Sequence, residues 1–163
     1  MPIELPIGWI IGLNVGGWIL VQLGLAWGFT RMPARWFNPG AAFAWERRGR
    51  VYERVFAIKS WKDRLPDAAR WFGGGFPKGA LAGAQPEYLA RFVRETWRGE
   101  LCHWAAIGCT PVFFLWNPWW GDLILVAYAV GANVPCILAQ RYNRIRLRRL
   151  LARTASGTRP HET

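Results

Sequence analysis

Three stretches of this chain run long without a charged side chain. Leu5 to Thr30 is 26 residues, and Leu101 to Asn117 and Leu123 to Ala139 are 17 residues each. About 20 apolar residues cross a bilayer's hydrocarbon core, with roughly 17 at the short end. The pattern therefore predicts an all-α integral membrane protein with about three transmembrane helices. Pro118-Trp119-Trp120-Gly121-Asp122 between the second and third runs has the Pro and Gly of a tight turn, so those two runs should form a helical hairpin. The first run follows Met-Pro-Ile-Glu, without a basic start, and leaves through Trp27-Gly28-Phe29. That pattern predicts a retained helix rather than a cleaved signal. The expected layout is a single membrane domain over 1–163: span 5–30, a cytoplasmic or interfacial segment 31–100, spans 101–117 and 123–139, and a basic tail 140–163.

Charge gives the orientation. Of 21 Lys+Arg, 14 lie between Arg31 and Glu100 and 7 after Gln140, while the first five residues and the 118–122 turn carry none. All basic residues then fall on one side, which should be cytoplasmic, with the N-terminus outside. The protein is expected in the plasma membrane, and the lipid bilayer is its first partner. A net charge of +11 would suit nucleic acid, but 52% hydrophobic residues in uncharged blocks argue against a soluble nucleic-acid binder and against a disordered polycation. Three cysteines without CxxC spacing and two histidines, His103 and His161, offer neither a disulfide framework nor a metal cluster. Cys102, Cys109 and Cys136 read as small packing residues.

Between the spans, Ala41 to Trp61 has the pattern of an amphipathic helix lying on an anionic leaflet, with Phe43, Val51, Tyr52, Val55, Phe56 and Ile58 among basic residues. Leu65-Pro66-Asp67 breaks it. Gly73 to Gly79 lacks the Gly-Lys-Ser/Thr of a phosphate loop and reads as a plain loop. Gln85-Pro86 suits the start of a helix running straight into the second span. Gly8, Gly12 and Gly16, with Gly24 and Gly28, would let another helix approach the first span closely. Packing against the hairpin is the preferred reading, with homodimerisation the alternative; the oligomeric state stays open.

The candidate chemistry gathers where the hairpin ends. His103 lies 14 residues before Asn117 and Cys136 lies 14 after Asp122, so both sit about 21 Å from the turn at 1.5 Å per residue. Glu95 to Trp104 should then face Asn133 to Arg144. Glu100 and His103, three apart, share a helix face, and a carboxylate can orient an imidazole as a general base. An ionisable residue at membrane depth is a functional candidate. Equally, Glu100 can pair with Arg141 or Arg144 across the hairpin. Asn133, two before Pro135, sits where the proline frees a backbone carbonyl, and makes either a kink or a polar notch for a hydroxylated head group. Gln140, Arg141, Asn143 and Arg144 put donors just outside the hydrocarbon, suited to lipid phosphates.

The motifs Arg31-x-Pro33-x-x-x-Phe37, Trp61-Lys62-x-x-Leu65-Pro66-Asp67, Glu95-Thr96-x-Arg98-x-Glu100-Leu101-x-His103-Trp104, Asn133-x-Pro135 and Gln140-Arg141-Tyr142-Asn143-Arg144-x-Arg146 occur in this order. Their order and spacing resemble the glycosyl-4,4'-diaponeurosporenoate acyltransferases of staphyloxanthin biosynthesis, from about the middle of the first span to Arg149. The resemblance implies a membrane O-acyltransferase that moves a fatty acyl group onto a sugar hydroxyl of a glycosylated carotenoid or similar amphipathic glycolipid. The donor would be a fatty acyl thioester, acyl-CoA or acyl-carrier-protein, with no further cofactor and no metal. On that reading His103 is the base and Glu100 its orienting partner. Arg98, Arg141 or Arg144 stabilises an oxyanion or holds a donor phosphate. Glu95, Asn133, Gln140 and Asn143 contact substrate, and Trp61 and Lys62 bring the interfacial segment over the site. The competing reading is a non-catalytic scaffold or lipid-binding subunit. A transporter subunit fits less well, because no charge lies deep in any span.

Overall fold

A computed structural model describes residues 3–41, 43–65 and 85–157; Pro66, Asp67, the 73–79 glycines and His161 lie outside the described residues. Among the described residues the chain is all helical. Helix α1 spans Ile7–Arg31. Its end follows from Pro33, which disfavours helical geometry at the preceding residue; Met32 is extended. A short helix α2 covers Arg50–Arg54, flanked by 3₁₀ turns. Helix α3 covers Pro86–Gly108 and starts as expected, with Pro86 in the first turn and Glu87 near the positive helix end. Helix α4 covers Trp119–Gly157 and contains Pro135.

Two helices, α1 and α4, are long and apolar enough to cross a membrane, not three. The expected span 101–117 is divided. Pro111 cannot continue an α-helix, and Thr110–Leu115 winds as a 3₁₀ helix after α3 ends. The 118–122 turn is also tighter than expected, because Trp119 to Asp122 already form the first turn of α4.

α3 and α4 pack antiparallel along most of α3, forming the expected hairpin. Leu89, Val93, Thr96, Glu100 and Ala106 recur at helical spacing as the buried stripe of α3. Leu89 and Val93 meet Leu147 of α4. α1 lies antiparallel to α3 and parallel to α4. Asn14 meets Asn117, Trp18 meets Phe113 and Tyr128, Gln22 reaches Asn133, and Met32 receives a hydrogen bond from Arg98. Asn14 to Met32 rises about 27 Å. Arg98 to Asn117, part α and part 3₁₀, rises about the same.

The contact stripe of α1 is Ile10, Asn14, Trp18 and Gln22, with Gly17 against the Phe113 ring at 3.1 Å from a would-be Cβ. The glycines expected to pack on the hairpin do not. A Cβ at Gly8, Gly12, Gly16, Gly24 or Gly28 would meet nothing within 4 Å. Gly12 is two residues from Asn14, about 200° around the helix, so the glycine stripe points away from the hairpin. Large apolar side chains on α1 and the first half of α4 are exposed, among them Trp9, Val15, Leu20, Leu123 and Ile124.

Residues 41–61 are not one amphipathic helix. Gly49 (φ 86°) and Ala57 (φ 44°) both adopt left-handed geometry and break it. At Gly49 that geometry brings the backbone within 3.6 Å, for a would-be Cβ, of Ile145 and Tyr142. Tyr52 and Ile58 are buried with Tyr142 and Ile145, with Trp61 and Leu138 packed against them, whereas Phe43, Val55 and Phe56 are exposed. The segment wraps the end of the hairpin and is tied down by Tyr142 Oη to Glu53 (2.7 Å) and Arg148 to the Pro39 carbonyl (2.7 Å).

Candidate active site

Polar side chains meet in two tiers at the end of the bundle where Arg31, Arg98 and Arg144 lie. The ionic tier centres on Glu100. Its carboxylate is fully buried and accepts from Arg141 Nε at 2.6 Å and Arg144 Nη2 at 2.5 Å, with Trp104 Nε1 at 3.4 Å. The Arg144 guanidinium also stacks on Trp97, 5.0 Å from the ring centroid, and its Nη1 is buried without a hydrogen-bond partner among the described residues. One carboxylate against two guanidiniums leaves a net positive charge in a secluded place, which suits a developing oxyanion or an anionic head group. Beside this tier Arg98 bridges Glu95 (2.7 Å) and the Met32 carbonyl (2.9 Å), with Phe37 under its guanidinium. That arrangement ties α3 to the end of α1.

The second tier is uncharged and lies deeper among the apolar residues. His103 is one helical turn beyond Glu100, about 4.5 Å along α3. Its Nδ1 is 2.9 Å from Asn133 Oδ1. Asn133, buried, donates Nδ2 to the Ala129 carbonyl at 2.9 Å, and Gln22 Nε2 of α1 approaches the same Oδ1 at 3.5 Å. The expected Glu100–His103 pair is therefore not formed. Sharing a helix face brought both side chains toward α4, where two guanidiniums take the carboxylate and an amide takes the imidazole.

The remaining expected site residues are spread around these tiers. Gln140 packs on Gly99, where a Cβ would lie 2.9 Å from its Nε2. Asn143 is half-buried on α4. Trp61 packs on the Tyr52–Tyr142 cluster and donates Nε1 to the Phe56 carbonyl, while Lys62 pairs with Asp63. Gln22 went unnoticed in the sequence. Its signal was its spacing, because Asn14, Trp18 and Gln22 stand four apart in a run otherwise almost wholly apolar. In the wrapping segment the buried Glu46 caps the Phe43 N–H and accepts from Tyr52 Oη at 2.7 Å. Burial, then this carboxylate, pushes the Tyr52 phenol well above its ordinary range. Among the described residues no cluster of His, Cys, Asp and Glu is built to hold a metal.

This is a small helical protein with two potential membrane-crossing helices, an ionic cluster, and a histidine set among apolar residues. The glycosyl-4,4'-diaponeurosporenoate acyltransferase family model matches residues 33–153. The glycosyl-4,4'-diaponeurosporenoate acyltransferase of Staphylococcus aureus (strain USA300) is 32% identical over 138 residues, covering 82% of this chain and 83% of the relative. That of Staphylococcus haemolyticus (strain JCSC1435) is 34% identical over 134 residues, covering 80% and 78%. No solved structure matches. The chain belongs to this acyltransferase family, and it is an acyltransferase rather than a scaffold. The family match begins after α1 ends, so Gln22 lies outside it.

Proposed function

We propose that this acyltransferase is a multi-pass plasma-membrane enzyme. It moves a fatty acyl group from a coenzyme A or acyl-carrier-protein thioester to a sugar hydroxyl of a glycosylated carotenoid or similar glycolipid. The observation that carries the reading is His103, an imidazole held by an amide one turn deeper than the Glu100–Arg141–Arg144 cluster. A lipid-anchored hydroxyl and an acyl thioester can meet there while both tails stay in hydrocarbon.

The parallel arrangement of α1 and α4 supports a reading with three crossings. Two parallel crossings need a return, and the stretch from Arg98 to Asn117 runs back along α1 over about 27 Å, close to the hydrocarbon thickness. The basic residues gather at the α1 C-terminal end, which favours a cytoplasmic C-terminus and an external N-terminus. The exposed apolar belt on α1 and α4 is then covered by lipid.

In the reaction, His103 Nε2 takes the proton from the acceptor hydroxyl as its oxygen attacks the thioester carbonyl. Arg144, through its free Nη1, and Arg98 stabilise the oxyanion. Collapse breaks the C–S bond, and the thiolate leaves with the proton from His103. Glu100 holds Arg141 and Arg144 in place, and Glu95 does the same for Arg98. Gln140, Asn143, Trp61 and Lys62 border the approach from the cytoplasmic side. The thioester supplies the driving force, so the balance needs no cofactor.

The test is acyl transfer in proteoliposomes holding the full chain, a glycosylated carotenoid and a labelled acyl thioester, read by mass spectrometry. An ester on the sugar that disappears in His103→Ala is the expected result. Undiminished ester formation in that variant overturns the assignment of the base. Failure with both thioester types overturns the donor.

A further inference from the structure

The amide beside His103 is oriented by its own helix, and that fixes where the imidazole carries its proton. Asn133 Nδ2 lies 2.9 Å from the Ala129 carbonyl oxygen. A carbonyl oxygen only accepts, so the nitrogen of the amide belongs on that side; exchanging the two would set two lone-pair oxygens 2.9 Å apart. Oδ1 therefore faces His103 Nδ1, at 2.9 Å, and Gln22 Nε2 approaches the same oxygen from α1. An amide oxygen has no proton to give, so Nδ1 must bring it. Asn133 is almost entirely buried, with no room to turn toward water. Among the described residues no partner stands at Nε2, which is left with the lone pair. Free neutral histidine favours the opposite form, with the proton on Nε2.

We propose that Asn133 is a positioning residue that sets the tautomer of His103, so that the base acts through Nε2, and that Gln22 of α1 holds the Asn133 oxygen on the imidazole. This rests on His103 being the base. It moves Asn133 from substrate contact to orientation, and it gives α1 a part in the site. It also explains how the imidazole is oriented while Glu100 is taken by two arginines. Asn133 does for His103 what the third member of a catalytic triad does, without adding a charge to the membrane interior.

The experiment uses the full chain in lipid nanodiscs with ring-¹⁵N histidine and His161→Gln, leaving one histidine to observe. With the imidazole neutral, the expected spectrum has a protonated, pyrrole-type Nδ1 and a pyridine-type Nε2. Asn133→Leu is expected to move the proton to Nε2 and to lower kcat about 100-fold, with KM little changed. Asn133→Asp, as the neutral acid, donates its O–H to the Ala129 carbonyl and keeps an acceptor at Nδ1, so it is expected to keep the tautomer, which guards against a fold lost in the leucine variant. A protonated Nε2 in the Asn133 protein, or an unchanged tautomer in Asn133→Leu, overturns the proposal. Full acyl transfer in His103→Ala, with the spectrum as expected, overturns the choice of base and leaves the tautomer assignment standing.

Discussion

Glu100 and Arg144 form an ion pair at 2.5 Å in which the carboxylate is fully buried and the guanidinium nine-tenths so. Arg141 adds a second cation at 2.6 Å. Such a group holds the hairpin together only while it is complete, since desolvation cancels much of the attraction and an orphaned charge has no water to retreat to. Glu100→Gln leaves two guanidiniums facing a neutral amide. The expected cost is about 3–5 kcal/mol, seen as a large fall in thermal midpoint in detergent. Lys59→Ala, which removes the exposed Lys59–Glu53 pair, is expected to leave the midpoint nearly unchanged. Similar midpoints for the two variants would mean that Glu100 is not the keystone of the cluster.

The two faces of α1 can be separated at neighbouring glycines. Gly17 stands against the Phe113 ring, while Gly16 faces open space. Gly17→Leu should overpack that contact and cost about 1–3 kcal/mol. Gly16→Leu should leave the thermal midpoint unchanged. The reverse order would put the hairpin on the glycine face.

Much of this arrangement was legible from counting. A helix rises by a constant step, so counting from the turn set His103 opposite Cys136; Gly99 meets Gln140, and His103 meets Asn133 three residues away. The start of α3 at Pro86 was legible because proline is tolerated in a first turn. Partner choice was not. Glu100 and His103 share a face, yet spacing along one helix says nothing of which side chains the facing helix offers. The regular glycines on α1 drew attention to the wrong face, because small residues fit equally beside a helix or beside lipid. The break at Gly49 had a signal in the glycine itself, whereas nothing in an alanine announces the left-handed geometry of Ala57.

The wrapping segment carries its own acid limit. Tyr142 Oη and then Lys59 stabilise the Glu53 carboxylate, holding its pKa below the ordinary 4.5. A carboxylate lowered on folding contributes fully above its unfolded pKa and loses that contribution as pH falls through the folded value. Protease protection of residues 43–65 should therefore hold in full above the ordinary carboxylate range and decline as pH falls from that range through the lower folded value. In Glu53→Gln the segment should be cut more readily at neutral pH, with a weaker dependence on acid. Limited proteolysis of both proteins across this range checks the sign. Matching profiles would show that the Tyr142–Glu53 bond does not anchor the segment.

Gly99 and Gln140 test whether the closeness of the hairpin matters to the reaction. A Cβ on residue 99 would reach 2.9 Å from Gln140 Nε2 and 3.2 Å from Cδ, both toward the free end of a flexible side chain. Gly99→Ala should therefore be mild, because the amide can swing aside. Gly99→Leu is too large for that and should push α4 away one residue before the Glu100 cluster, loosening Arg141 and Arg144. Acyl transfer should fall at least tenfold, and Gln140→Ala in the same chain should recover most of it by vacating the space. Each single change costing activity with no recovery in the double variant would mean that Gln140 contributes its amide rather than its volume. Double-mutant comparison of ester yield at matched protein levels separates the two, since packing compensates and a lost hydrogen bond does not.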